Sequence, residues 1–372
     1  MKIAINTRFL IKDHLEGIGW FCYESLKRIT QQHPEHQFYF LFDRKFSDEF
    51  IFSKNITPVI VYPQARHPLL WYWWFEMAIP SALKKIEPDL FLSPDGYCSL
   101  RTSFKQVMVI HDLAFEHYSN YADAITLKYY RHFTPKYAAK ANRIAAVSNY
   151  TKQDIIQQYG ISADKIDVAC NGSSELFHPI SMDEKKLVKE KFANGSDYFV
   201  YAGAIQPRKN IINLFLAFDE FKNRTGSNLK LVMAGRNWGY KEAMNICAAM
   251  KHKEDVIFHG HLTRNDLTKL IAGAMALVYV SLFEGFGIPI VEAMNCDVPV
   301  ITSNVSSMPE VAGDAALLVK PDSVESIVSK MELMMSSEQL RNDLILKGRI
   351  QCQQFTWQNT ADNLWSCMMK TI

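Results

Sequence analysis

Two glutamates flank a glycine-rich turn in the stretch SLFEGFGIPIVEAMN, residues 281–295. The apolar run ALVYVSLF comes directly before it and predicts a buried strand that ends near Glu284. Pro289 suits the first turn of a helix, because its missing N–H would have no partner within the helix there. The sequence therefore places Glu284 in a loop and Glu292 one turn inside the next helix, where the two carboxylates can contact different parts of one elongated ligand.

The glycines of this turn argue for a ligand as well. Gly285 and Gly287 would allow backbone amides to face a bound molecule. A purely structural explanation of Glu292 is compensation of the helix dipole. That explanation leaves Glu284 and both glycines unexplained.

A pair of cations follows another predicted strand. In YAGAIQPRKNI, residues 201–211, the strand ends near Gly203, and we expect Arg208 and Lys209 to open a helix. Cations oppose the dipole at a helix N-terminus, so a bound diphosphate would explain a placement that is otherwise unfavourable. Two solvated surface charges are the alternative, and the sequence leaves it open.

Two further loops carry weaker signals. His111 and Asp112 in VIHDLAF lie where a strand should end, so His111 could donate to a sugar hydroxyl while Asp112 fixes its tautomer. A structural histidine at a strand end is the alternative. In EGIGW, Gly17 and Gly19 could let the backbone approach an anion in front of a helix, and a plain flexible turn fits this loop equally well.

The elements that must position these residues alternate along the whole chain. Apolar strands separated by helical segments predict parallel sheets covered by helices on both faces. One series fills residues 1–175 and a second fills 176–355, with a polar, linker-like segment from Ser174 to about Ser196. We therefore predict an α/β protein with two doubly wound, Rossmann-like domains that face a cleft, with ligands at the carboxyl ends of the strands.

Composition narrows the class of protein. Of 372 residues, 48% are hydrophobic and 22% charged, which is typical of a globular chain, and the net charge of +2 gives no reason to expect nucleic acid. The seven cysteines form no CxxC pair and predict reduced thiols in a cytoplasmic protein. MKIAINTRFL predicts a strand and not a secretion signal, and we expect no membrane-spanning segment.

The stretch around Glu284 and Glu292 resembles the E-x7-E signature of retaining glycosyltransferases with the GT-B fold, notably family 4, also called group 1. The resemblance covers nearly the whole chain and is more specific in its second half. It is closest in kind to bacterial mannosyltransferases of lipopolysaccharide and capsule synthesis. The segments that carry it include GIGWFCYESL, HDLAF, AAVSNYTKQDI, NGSSELFHP, YAGAIQPRKN and FTWQNTA.

The resemblance implies roles for the residues singled out above. Arg208 and Lys209 would hold the donor diphosphate, and Glu292 would bind the ribose hydroxyls of the nucleotide. Glu284 would contact the donor hexose near the reaction centre. His111 would meet the same sugar and assist at the anomeric carbon.

Four more positions gain expected roles in the same way. Gly287 and Ile288 would present backbone groups to a phosphate or to the sugar. Gly19 would lie near the phosphate, and Leu262 would border the base. The resemblance also implies that the last helix, residues 356–372, packs back on the N-terminal domain.

The reaction implied is hexosyl transfer with retention of configuration, by attack from the front side and without a covalent nucleophile. The chain contains no D-x-D motif, so we expect a metal-independent enzyme without a cofactor, in which the basic pair stabilises the leaving diphosphate. The resemblance favours GDP-mannose as donor, with a UDP-hexose or UDP-N-acetylhexosamine as the alternative. A glycan or polyprenyl-linked glycan would be the acceptor.

Other readings of the same residues stay open at this point. The two glutamates could form the acid pair of a glycoside hydrolase, which would leave Arg208 and Lys209 without a purpose. A sugar-nucleotide epimerase or a non-catalytic sugar-nucleotide-binding protein could share the fold. The aromatic run at 71–74, flanked by cations, suits either contact with the inner face of the cell membrane or a packed helix.

Overall fold

The chain folds into two compact units in a computed structural model that describes residues 1–118 and 122–372. Unit 1 consists of Met1–Gly172 together with Trp357–Ile372, and unit 2 consists of Ser173–Thr356. Each unit has a parallel sheet of its own covered by helices. The predicted α/β architecture with two doubly wound sheets is therefore confirmed.

Unit 1 is built on a parallel sheet with the strand order β3-β2-β1-β4-β5-β6-β7 in the described residues. The centre of the sheet is apolar throughout, as expected of strands that helices cover on both faces. Ile3 of the first strand pairs with Phe38 on one side and with Leu90 on the other. The strands are β1 (Lys2–Asn6), β2 (Gln37–Phe42), β3 (Ile56–Ile60), β4 (Leu90–Ser93), β5 (Gln106–Ile110), β6 (Arg143–Ala146) and β7 (Ile166–Val168).

Two helices of unit 1 begin at clear side-chain caps. The Asp123 carboxylate accepts hydrogen bonds from the backbone N–H groups of Ile125 and Thr126, and the Ser148 hydroxyl accepts one from Thr151. These helices are α1 (Gly17–Gln32), α2 (Pro68–Trp73), α3 (Ile79–Ile86), α4 (Ala114–His117), α5 (Ala124–Lys140) and α6 (Asn149–Tyr159).

Unit 2 repeats the design with the strand order β10-β9-β8-β11-β12-β13. Its strands are β8 (Tyr198–Ala202), β9 (Lys230–Ala234), β10 (Val256–Gly260), β11 (Ala276–Tyr279), β12 (Val300–Ser303) and β13 (Ala316–Val319). Its helices are α7 (Met182–Ala193), α8 (Ile211–Thr225), α9 (Lys241–Ala249), α10 (Arg264–Ala272), α11 (Ile288–Asn295), α12 (Met308–Ala312), α13 (Val324–Ser336) and α14 (Glu338–Gln351).

Two chain segments belong to a unit that their place in the sequence does not suggest. The last helix, α15 (Trp357–Met369), belongs to unit 1, where Trp357 lies edge-on to Phe21 of α1 with ring centroids 6.5 Å apart. The segment predicted as a linker contains α7, whose residues Val188 and Phe192 are buried in unit 2. The segment is therefore not a free linker, because Val188, Phe192 and Ala193 form a narrow buried side of α7 while Met182 and Leu187 stay exposed.

Within the described residues, no helix combines the length and the apolar character needed to cross a bilayer.

Candidate functional site

Three residues from two parts of unit 2 meet at the carboxylate of Glu284. Its Oε2 accepts a hydrogen bond from Arg208 Nη1 at 2.8 Å, and its Oε1 accepts one from Lys209 Nζ at 2.6 Å. The hydroxyl of Tyr279, the last residue of β11, donates to the same Oε1 at 2.8 Å and accepts from Lys209 Nζ at 2.7 Å. One buried carboxylate thus neutralises two cations that come from another strand end.

The loop that carries Glu284 is held by two serines that follow β12. Ser306 Oγ accepts a hydrogen bond from the Glu284 N–H at 3.1 Å. The single hydroxyl proton of Ser307 is shared between the carbonyls of Glu284 and Phe286, which lie 2.9 and 2.8 Å from Oγ. These bonds fix the backbone on both sides of Gly285 and restrain the direction of the carboxylate.

The two cations lie just before a helix and not inside one, which corrects the sequence prediction. Arg208 and Lys209 belong to a short 3₁₀ turn, Pro207–Lys209, and α8 begins only at Ile211. Asn210, which lies between the 3₁₀ turn and α8, adopts a left-handed backbone with φ 59°, a conformation that asparagine tolerates better than most residues. Its side-chain amide donates to the Val280 carbonyl at 2.9 Å and to the Pro321 carbonyl at 2.6 Å, so the turn is tied to the end of β11.

The cations control the ionisation of Glu284. Burial alone would raise the pKa of this carboxyl, but the nearby charges of Arg208 and Lys209 outweigh it and lower the pKa to about 2. The carboxylate is therefore ionised across the physiological range. It also supplies the negative charge that a bound diphosphate was expected to supply, so the position of the two cations does not by itself require a ligand.

The helix after this loop starts as predicted. Gly287 precedes α11 with φ 104°, a conformation that strains any residue with a side chain, and a Cβ there would lie 3.1 Å from the Ile290 side chain. Ile288 and Pro289 form the first turn of α11, and Glu292 follows one turn later. The glycine therefore allows the sharp turn by which the chain enters α11.

The environment of Glu292 favours the neutral carboxyl, whereas the environment of Glu284 favours the ionised one. Burial raises the pKa of Glu292 to about 7, and the charge of Arg264 opposes that shift only in part. Arg264 is the first residue of α10, and the half-exposed Leu262 lies two residues before it, after β10. Leu262, Arg264 and Glu292 thus belong to one region of unit 2, and a proton can be gained or lost there near neutral pH.

In unit 1, the imidazole of His111 follows β5 as predicted. Its Nε2–H donates to the Pro94 carbonyl at 2.8 Å, which leaves Nδ1 as an acceptor. The ring lies edge-on to Phe21 of α1 at 5.0 Å, and burial lowers the pKa of His111. The sequence had suggested that Asp112 fixes the tautomer, but the Pro94 carbonyl does so, and the Asp112 carboxylate accepts from the Ala114 N–H at 3.0 Å.

Pro94 is held by a buried polar network that the sequence analysis did not identify. The Asp95 carboxylate accepts from Arg8 Nε at 2.5 Å and from the Asn6 amide at 2.8 Å. The Ser93 hydroxyl donates to the other oxygen of Asp95 at 3.0 Å. Residues on both sides of Pro94 are therefore anchored to the end of β1, which fixes the carbonyl that orients His111.

The glycine motif EGIGW is the first turn of α1 and not a flexible loop. Gly19 is buried, and a Cβ at this position would lie 3.1 Å from the Phe9 carbonyl oxygen. Close packing of α1 on the segment after β1 explains this glycine without a ligand. A role for Gly19 near a phosphate stays a prediction.

The structure thus brings some of the predicted residues together. Arg208, Lys209 and Glu284 form one hydrogen-bonded cluster, whereas Glu292 belongs to a separate environment of the same unit. Tyr279 was missed because it closes an apolar run and looked like part of the core. Ser306 and Ser307 were missed because the sequence around them carries no signal beyond a loop.

Comparison with known proteins identifies the family of the chain. Residues 16–173 match the family described as "Glycosyltransferase Family 4", and residues 182–351 match "Glycosyl transferases group 1". The chain is 27% identical to O-antigen chain mannosyltransferase B of Escherichia coli over 96% of this chain and 97% of that protein. It is 28% identical to O-antigen chain mannosyltransferase RfbU of Salmonella typhimurium over 70% of this chain and 69% of that one.

Solved structures share the fold at low sequence identity. WaaG, a glycosyltransferase involved in lipopolysaccharide biosynthesis, superposes with a TM-score of 0.78 at 14% identity, over 98% of this chain and 99% of that one. Anabaena HepE, solved with UDP and glucose, gives 0.76 at 15% identity, with both chains fully covered. The two family models together span most of the chain, and the protein therefore belongs to the family 4, group 1 glycosyltransferases of the GT-B fold.

Proposed function

We propose that this glycosyltransferase transfers mannose from GDP-mannose, with retention of configuration, to a glycan or polyprenyl-linked glycan in surface polysaccharide synthesis. The O-antigen mannosyltransferases to which it is similar over most of its length support the choice of sugar. The observation that carries the proposal is the buried cluster of Glu284, Arg208 and Lys209 at the carboxyl end of the unit 2 sheet. In parallel α/β sheets ligands bind at that end.

The cluster can exchange one anion for another. Arg208 and Lys209 have their charges offset by Glu284 when no ligand is bound. A donor diphosphate would accept hydrogen bonds from the same donors, and the negative charge that develops on the leaving group would strengthen them. Glu284, displaced in part from the cations, would then be available to accept a hydrogen bond from a hydroxyl of the hexose.

The remaining residues would bind the two ends of the donor. The carboxylate of Glu292 would accept hydrogen bonds from the ribose hydroxyls beside Leu262, and the backbone at Gly287 and Ile288 would face phosphate or sugar. Nδ1 of His111 keeps an acceptor because Nε2–H is committed to Pro94, so it would accept from a sugar hydroxyl near the anomeric carbon. No covalent intermediate is part of this scheme.

Unit 2 would bind the donor and unit 1 the acceptor. The reaction would need no metal, because Arg208 and Lys209 supply the positive charge beside the diphosphate. The protein would act in the cytoplasm or at the inner face of the cell membrane, where a polyprenyl-linked acceptor is accessible. Nucleic acid has no role in this proposal.

A UDP-sugar is the second candidate donor. The HepE structure of the same fold contains UDP and glucose, which supports a nucleotide sugar in general. Backbone N–H and C=O groups can hydrogen-bond to a base as side chains can. The types of side chain near Leu262 are therefore compatible with either guanine or uracil. A non-catalytic nucleotide-sugar-binding protein is a third, less supported candidate.

Calorimetric titration in the presence of EDTA tests the proposal. The ligands are GDP-mannose, GDP, UDP-glucose, UDP-N-acetylglucosamine and UDP, and we expect micromolar binding of the GDP series only. Lys209→Ala should weaken GDP binding about tenfold or more, because a charge-assisted bond to phosphate contributes about 1.5–3 kcal/mol. Lys347→Ala, at an exposed position of α14, is the matched control.

Each alternative predicts a different result. If only the UDP ligands bind, the donor is a UDP-sugar and not GDP-mannose. If binding requires added Mg²⁺, metal independence is refuted. Release of GDP from GDP-mannose with an acceptor separates an enzyme from a binding protein. The anomeric configuration of the product, measured by NMR, separates retention from inversion.

A further inference from the structure

The aromatic run at 71–74 is split between the core and the surface. Trp74 is fully buried, with its indole N–H donating to the Val61 carbonyl at 2.7 Å. Trp71 points inward in the same way and donates to the Ala65 carbonyl at 2.8 Å. Tyr72 and Trp73 lie on the outer side, and Trp73 is 54% exposed. The run is thus neither a fully packed helix nor a uniformly exposed one.

Other large apolar side chains extend the outer side. Leu69 is 74% exposed, and Leu70 and Met77 are also exposed. Leu69, Trp73 and Met77 are spaced four residues apart, which puts them along one side of the helical segment formed by α2 and the π-helical turn Trp74–Ala78. Exposed apolar residues at helical spacing need an explanation that scattered ones do not.

A cationic helix packs beside this apolar side. Helix α5 contains four Lys or Arg residues and no Asp or Glu. Lys128, His132, Lys136 and Lys140 follow one another at intervals of four along its exposed side. In the described residues Arg131 pairs with Glu116 at 3.7 Å, whereas the three lysines make no ion pair with a carboxylate. The exposed side of α5 therefore carries three lysines without a carboxylate partner, and Lys136 Nζ donates to His132 Nε2 at 2.7 Å.

Direct contacts join the two features into one surface. The ring of Tyr72 lies 5.7 Å from that of Phe133 on α5, and Lys136 Nζ lies 5.8 Å from the same Phe133 ring. Arg101 bridges the other edge, with Nη2 donating to the Tyr72 hydroxyl at 3.1 Å and Nη1 lying 3.0 Å from Met77 Sδ. Cations and exposed apolar groups therefore alternate over a continuous area of unit 1.

The carboxylate closest to this area in the sequence is turned away from solvent. Glu76 lies within the π-helical turn and is only 2% exposed. Both its oxygens accept hydrogen bonds from the Leu100 N–H, at 3.2 and 3.1 Å. The surface consequently presents apolar and cationic groups while Glu76 is buried, and the exposed Asp123 lies at its edge as the N-cap of α5.

We propose that this area, called here the α2–α5 surface (Leu69, Leu70, Tyr72, Trp73, Met77, Arg101, Lys128, His132, Lys136 and Lys140), docks on a bilayer that contains anionic phospholipid. Exposed leucine and tryptophan insert at the boundary of headgroups and acyl chains, and lysines are attracted by the negative surface potential. The inference rests on the proposed function for its purpose, because a polyprenyl-linked acceptor would be held in that membrane. It assigns the contact to specific residues of unit 1.

Vesicle flotation of the full chain tests the inference without donor or acceptor. Phosphatidylcholine vesicles in which about a third of the lipid is phosphatidylglycerol are compared with vesicles of pure phosphatidylcholine. Wild type should bind the anionic vesicles and lose binding with salt. Lys128→Gln, Lys136→Gln and Lys140→Gln combined should weaken binding on the order of 100-fold, since each lysine near an anionic surface contributes about a fivefold factor.

Two further variants make the test specific. Leu69→Gln with Trp73→Gln should also reduce binding, while leaving the charge unchanged. The matched control replaces three exposed lysines of unit 2 by glutamine, Lys241, Lys251 and Lys347, and should bind as wild type does. Circular dichroism and GDP titration show that each variant is folded.

The inference is overturned if wild type ignores phosphatidylglycerol, or if the control triple loses as much binding as the α5 triple. Binding to heparin but not to vesicles would assign the surface to a soluble polyanion and also overturn it. GDP binding reports on unit 2 alone, so failure of flotation with intact GDP binding refutes the surface and not the proposed function. Loss of GDP binding with intact flotation refutes the proposed function and leaves the membrane-docking surface in place.

Discussion

Replacement of Glu284 by glutamine separates the role of this residue in stability from its role in transfer. The substitution keeps the shape but removes the charge that pairs with Arg208 and Lys209. The two cations would then lie partly buried without a counter-ion, which destabilises a protein strongly. The same cations would be released for an incoming diphosphate.

The magnitude follows from the ionisation of the carboxyl. The pKa of Glu284 falls from an ordinary 4.5 to about 2, and each unit corresponds to about 1.4 kcal/mol, so the charged form contributes about 3 kcal/mol to folding. A lowered pKa means that this stability is fully present above pH about 4.5 and is lost as the pH falls towards 2. Glu284→Gln lacks it at every pH. At about 2–4 °C per kcal/mol, the melting temperature should fall by about 6–12 °C.

The assay is thermal unfolding with and without saturating GDP, together with GDP titration at pH 7. We expect Glu284→Gln to bind GDP as tightly as wild type or more tightly, to gain more stability from GDP than wild type does, and to lose transfer activity. Glu254→Gln, at an exposed position of the same unit, should change the free energy of unfolding by less than about 0.5 kcal/mol. If Glu284→Gln weakens GDP binding as much as Lys209→Ala does, the exchange of carboxylate for diphosphate is refuted.

Two further predictions address other residues of the site, and a third addresses backbone packing in unit 2. Because burial raises the pKa of Glu292 to about 7, nucleotide affinity should rise between pH 6 and 8 as the carboxylate forms, and Glu292→Gln should remove this rise; calorimetry at several pH values measures it. His111→Phe should spare GDP binding and lower kcat about 100-fold or more, since the imidazole is expected to act on the sugar; steady-state rates with GDP titration as control show whether the two separate. Gly235→Ala should prevent folding of unit 2, because a Cβ there would lie 1.8 Å from the Gly203 carbonyl oxygen at a backbone φ of 151°; soluble yield and circular dichroism report it, with Gly226→Ala, at φ 61° and with no atom near its Cβ, as a milder control.

The sequence predicts the fold well because the strands of a parallel sheet have a recognisable apolar pattern. Buried strands such as β5 and β8 are apolar at every position or nearly so, and helices separate them at regular intervals. The same logic failed at α7, where a mostly charged segment hides a narrow apolar face. Local pattern cannot show whether such a face meets a core.

The site was predictable to the extent that its residues follow strands. Glu284, Arg208 and Lys209 come after β11 and β8, which are neighbours in the sheet, so their convergence follows from topology. That Glu284 neutralises both cations could not be foreseen, because it depends on side-chain directions and not on spacing. The network of Arg8 and Asp95 was hidden for the same reason, since these residues lie far apart in the chain and meet only when β1 and β4 pair.

The position of α15 bears on how the chain folds as it is synthesised. Unit 2 is continuous in sequence, so it can fold as soon as residue 356 has left the ribosome, whereas unit 1 is made first and lacks a helix until the end. Until α15 arrives, the side of α1 around Phe21 exposes apolar surface that Trp357 and its neighbours will cover. Nascent chains should therefore pass through a state in which the unit made last is complete and the unit made first still exposes apolar surface.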